Sequence, residues 1–137
     1  MDDKRVMGVP IDWQRAESWL VHLIALHSFV IGLFLMFLTR WGTAFGGWPE
    51  VTPLFFARQA GAFHVVVGTG YLLEYFHHAT VRLLLVTKSV ALVFRISMTI
   101  LDSAPWAVPL SAVGDGLMGL AVLVVHGKVV GERRGGS

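Results

Sequence analysis

Four stretches of about twenty mostly apolar residues leave this chain few ways to fold, because that is the length a helix needs to cross a hydrocarbon core of roughly 30 Å. They run over residues 19–38, 54–73, 81–101 and 106–125. Together they fill residues 19–126 of a 137-residue chain and leave no room for a soluble domain. Charged residues make up 15% of the chain, against roughly a quarter in soluble domains. The predicted fold class is therefore all-α: a polytopic membrane protein built as an antiparallel, up-down bundle of four transmembrane helices. Residues 1–18 read as a polar N-terminal segment and 127–137 as a basic tail. The first apolar stretch is too long for a signal-peptide core and lacks a small-residue cleavage site, so it is expected to remain as the first span.

Local punctuation sets the boundaries. Asp12 is placed to cap a turn leading into the first span. Thr52 followed by Pro53 reads as a cap with proline at the first helical position of the second. Residues 77–80 and 102–105 read as tight reversals, with Thr80 capping the third span. Only residues 39–53, with Gly42, Gly46, Gly47 and Pro49, make a loop of any length. Lys4, Arg5, Arg15, Arg82, Lys128, Arg133 and Arg134 fall on one side of such a bundle, and Arg40 and Arg58 on the other. That asymmetry predicts both termini on the cytoplasmic side. Trp13, Trp19 and Tyr75 then lie near the inner interface, and Trp41, Trp48 and Trp106 near the outer one.

Against this background the charges inside the spans stand out, since a charge at membrane depth costs at least a few kcal/mol and normally faces the bundle interior with a partner. Arg95 lies about six residues short of the outer end of the third span, and Asp115 about nine residues below the same surface on the fourth. At 1.5 Å per residue the offset is about 4–5 Å, within reach of an arginine side chain. The same reasoning pairs Lys88 with Glu74 and Arg58 with Asp102. Lys88, Arg95, Thr99 and Asp102 recur at helical spacing on one face. Such pairs fix helix order and register. The sharper alternative is a polar cavity, a proton path or an anion site centred on Lys88 and Arg95.

Six histidines are present. His77, His78 and His126 fall at the inner interface and read as surface residues. His27 and His64 lie inside the apolar segments. His64 shares a face with Ala60, Gly61 and Gly68, and small residues around an imidazole mark close helix packing. They also leave space for a flat tetrapyrrole, haem or chlorophyll, with His64 as axial ligand and His27 as a possible second. Ala112 with Gly116, the run from Gly68 to Gly70, and Gly114 and Gly119 mark further close contacts.

Cysteine is absent, so disulfides, thiolate metal sites and dithiol relays are excluded. No metal site is expected, no nucleotide-binding glycine loop is present, and no nucleophile–base–acid set can be assembled. The net charge of +2 sits in the flanks and carries no nucleic-acid motif.

The opening of the second span, Arg58-Gln59-Ala60-Gly61, with Gly68-Thr69-Gly70-Tyr71-Leu72 further on and Lys88 and Asp115 in the later spans, resembles small bacterial four-helix membrane proteins of the DoxX-like kind. The resemblance covers residues 19–125 and implies a bundle in the bacterial inner membrane. Some members of that group are similar to subunits of quinone-linked redox complexes. The leading expectation is thus a non-catalytic accessory subunit of a larger membrane complex, plausibly for electron transfer. A haem- or chlorophyll-binding subunit using His64 and a small transporter or proton pathway through Lys88, Arg95 and Asp115 are the alternatives. Lipid and other membrane subunits are the expected partners.

Overall fold

The computed structural model describes residues 11–135, all helical apart from short links: α1 (Trp13–Phe37), α2 (Thr39–Phe45), α3 (Leu54–His78), α4 (Arg82–Leu101) and α5 (Ala107–Gly135). Lys4 and Arg5 of the basic flank, and the first ten residues of the polar segment, lie outside the described residues.

The helices overrun the apolar stretches that announce them. α1 begins at Trp13, where the Asp12 side chain accepts from the Arg15 backbone N–H at 3.1 Å. Residues 13–18 of the expected polar segment are therefore helical, and so is the basic tail through Gly135. The long loop expected at 39–53 contains α2. Two expected caps are corrected. Pro53 itself, and not Thr52, occupies the cap position of α3. Thr80 does not cap α4 through its own hydroxyl, because Glu74 from the end of α3 takes that role: its carboxylate accepts from the Arg82 and Leu83 backbone N–H groups at 3.1 and 2.9 Å and from the Thr80 hydroxyl at 2.6 Å. An anion is the natural partner for the open N–H groups at a helix start. Ala79, in the left-handed region at φ 50°, turns the chain between the two helices.

The polarity of the molecule is inside out. Trp19, Leu23, Leu26, Val30, Leu33 and Phe37 form an exposed stripe along α1, and Leu110, Val113, Leu117, Leu120 and Val124 another along α5. Meanwhile Glu17, Ser28, Lys88 and Asp115 are buried. A water-soluble bundle reverses this arrangement. Helices α1, α4 and α5 are each long and apolar enough to cross a membrane. At 25 residues α3 matches α1 in length, but Arg58, Gln59, His64 and Glu74 dilute it and it is not among the three. The class these features define is a helical membrane protein.

Packing is uneven. α1 lies along α3 for much of its length, α4 lies along α5, and α1 joins the two pairs by packing on α5. The first seam is backbone against backbone: a Cβ on Gly61 would fall 2.6 Å from the Gly32 carbonyl oxygen, and one on Gly32 2.7 Å from that of Gly61. Along the second, Gly116 takes Leu92, and Gly119 takes the Cβ of Lys88 at 3.5 Å. Gly114 makes no such approach; its only neighbour is Met118 of its own helix. Although α3 and α4 are joined by a short link, they touch over a small length near it, where Gly70 meets Leu83 and Tyr71 lies beside Thr87. The apolar core of Val21, Ile24, Tyr71, Val81, Leu84 and Val122 fills that half of the bundle. At the opposite end Trp41 stacks on Phe45, whose ring meets Trp106 edge-on, so α2 is fastened to the link between α4 and α5.

Candidate functional site: a charged centre between α4 and α5

Lys88 and Arg95 are seven residues apart, two turns of α4, and so share a face. Asp115 of α5 lies level with the gap between them and is held by both. Lys88 Nζ donates to Asp115 Oδ1 at 2.7 Å, while Arg95 Nη1 donates to Asp115 Oδ2 and, at 3.2 Å, to the Ser111 carbonyl. Only 4% of Asp115 and 7% of Lys88 is exposed, so this is a three-centre ionic contact in the interior rather than a surface pair. Small residues let it form: Gly119 gives the Lys88 stem room, and Gly116 admits Leu92 from the turn between the two cations.

The structure brings Arg95 and Asp115 together as depth alone suggests, but two pairings need correcting. Lys88 does not meet Glu74. It faces α5, and Glu74 is occupied by the start of α4. Arg58 and Asp102 form no ion pair either, because α3 and α4 have separated by that level. Arg58 Nε instead lies 3.4 Å from the Thr39 hydroxyl of α2, and Asp102 ends α4 as its C-cap.

His64 of α3 is partly buried, while His27 of α1 is exposed on the surface of its helix. Each lies within electrostatic reach of Lys88, Arg95 and Asp115, and His64 also within reach of His27. All four long helices therefore contribute a titratable group to one region. Gly61 and Gly68, the small residues flanking His64, are filled by α1: Gly61 by Gly32 and Met36, Gly68 by Ala25, Ser28 and Phe29. The space they leave serves helix packing.

A second polar cluster lies toward the end that carries the α3–α4 link. Glu17, 2% exposed, accepts from the Tyr75 hydroxyl at 3.4 Å and lies 2.5 Å from His126 Nδ1. It ties α1, α3 and α5 together. His126 is thus not the surface residue expected from its position. The signal was present: Glu17 precedes Val21, Ile24 and Ser28 at helical spacing, so the inward face of α1 extends one turn beyond its apolar stretch.

Among the described residues no group of three or more His, Asp or Glu side chains is placed to hold a metal ion. No family model, curated protein or solved structure matches this chain. The reading of its function rests on the charged centre and the packing around it.

Proposed function

We propose that this protein is a non-catalytic subunit of a larger bacterial inner-membrane complex for electron transfer, in which Lys88, Asp115 and Arg95 brace α4 against α5. The observation that carries the reading is the lopsided packing. α1 and α3 are locked backbone to backbone, α4 and α5 are locked by buried charge, and α3 and α4 are left apart along most of their length. A bundle open on one side is suited to receive a further helix there.

In this reading α3 is the fourth span. It lies along α1 for much of its length, so a bilayer that takes α1 takes α3; its Arg58 reaches the Thr39 hydroxyl of α2, and its His64 lies within electrostatic reach of the charged centre. The excess of lysine and arginine at the end opposite α2 supports an orientation with both termini in the cytoplasm. Gentle solubilisation followed by native electrophoresis tests the proposal. The chain is expected to migrate with other membrane polypeptides at fixed stoichiometry. Migration as a lone 15.1 kDa species at every detergent concentration would count against it.

A further inference from the structure

The charged centre does not balance. Lys88 and Arg95 bring two positive charges and Asp115 one negative, leaving one positive charge in an apolar interior. The nearest carboxylate along α4, Asp102, is two turns from Arg95 and joins no ion pair among the described residues. His27, His64 and Tyr71, the titratable groups within electrostatic reach of the centre, are two imidazoles and a phenol, and none supplies the missing negative charge.

The unused donors point the same way. Arg95 meets Ser111 and Asp115 through Nη1 alone. Its Nε and Nη2 donate to no protein group among the described residues. Yet no buried side-chain nitrogen or oxygen there lacks a partner, so these two donors reach open space. The Arg95 side chain is 24% exposed, against 8% for Lys88. A guanidinium edge offering two parallel N–H groups matches the two oxygens of a carboxylate or phosphate. It cannot shed its proton to escape the low dielectric.

We infer that Arg95, backed by Lys88, is a binding site for an oxyanion, a carboxylate or phosphate group. Its Nε and Nη2 take two oxygens of the ligand, with His64 of α3 within electrostatic reach of the same place. The ligand's charge neutralises the centre. The seam where α3 and α4 separate gives access, either to the headgroup of an acidic amphiphile arriving from the bilayer or to a small anion from water. This site stands whether or not the chain belongs to a larger complex.

Equilibrium binding to the purified full-length protein in mild detergent tests it, using radiolabelled oleate and inorganic phosphate as probes and oleyl alcohol as the uncharged control. One oleate or one phosphate per chain is expected, with the alcohol binding at least ten-fold more weakly than oleate. Oleate without phosphate identifies an amphiphile from the bilayer, and phosphate without oleate a soluble anion. Arg95→Gln is expected to weaken binding at least ten-fold, and His64→Leu by a few-fold. Should Arg95→Gln fail to fold, Arg95→Lys, which keeps the charge and loses the fork, is expected to show the same direction. If the wild-type chain binds neither probe, or if Arg95→Lys and His64→Leu both bind as wild type, the site does not exist.

Discussion

Two buried carboxylates hold this bundle, and they are treated differently. Asp115, deep between α4 and α5, is met by a lysine and an arginine. Glu17, near the start of α1, is met by a histidine and a tyrosine hydroxyl. The first site brings together more positive than negative charge, and the second supplies at most one titratable cation. Depth explains the contrast. Far from water an ionised carboxylate is tolerated only with full cationic partners, whereas near a helix end weaker donors are enough.

The largest expected effect breaks the deeper site at its anion. Asp115→Asn leaves two buried cations facing each other with no counter-charge, and should cost about 3–5 kcal/mol, the usual penalty for orphaning one member of a buried pair. Removing either cation should cost much less, because Lys88→Met or Arg95→Leu leaves a balanced pair behind. A simple two-residue staple would behave otherwise, with equal losses on both sides and full recovery in an Arg95→Leu/Asp115→Leu double variant. Here that double variant strands Lys88, so recovery should be partial and become complete only when Lys88→Met is added. Unfolding in mixed micelles, followed by circular dichroism across this series, separates the two patterns.

The shallower site should show the same asymmetry at a smaller scale. His126→Leu leaves the Glu17 carboxylate buried with only a long hydrogen bond from Tyr75, for a loss of about 1–3 kcal/mol. Glu17→Gln keeps the shape and removes the charge, and should cost less than His126→Leu. The reverse order would mean that His126 contributes packing and the carboxylate is held by something else.

Much of this was legible in the sequence because helix length and depth are one-dimensional quantities. The apolar stretches locate α1, α4 and α5, and counting residues from the helix ends brings Arg95 within reach of Asp115. Pairings that depend on which helices touch were not legible. Assigning Lys88 to Glu74 and Arg58 to Asp102 assumes that helices joined by a short link pack along their length. Instead the Gly32–Gly61 contact draws α3 onto α1 and away from α4. Gly32 stands alone in an apolar run, with no pattern to mark it as half of a backbone contact. Glu74 was misassigned for a different reason: a charged residue near a helix end can serve a backbone as well as a side chain, and the sequence does not distinguish the two.

Glu74 therefore supplies the smallest and most discriminating test of the comparison. It is a third carboxylate, partly buried, whose assigned donors are two backbone N–H groups and one hydroxyl, with no cation among them. Glu74→Ala removes a helix cap without stranding any buried charge, so the loss should be about 1 kcal/mol. It should also be confined to the start of α4, read as faster amide exchange at Arg82 and Leu83 with the rest of the bundle unchanged. If the loss instead matched that of Asp115→Asn, Glu74 would have to be neutralising a buried cation, and Lys88 two turns along α4 would be the one to examine. A local, modest effect would fit three carboxylates graded by depth: a backbone partner at the helix start, a histidine nearer the helix end, and a lysine and an arginine inside.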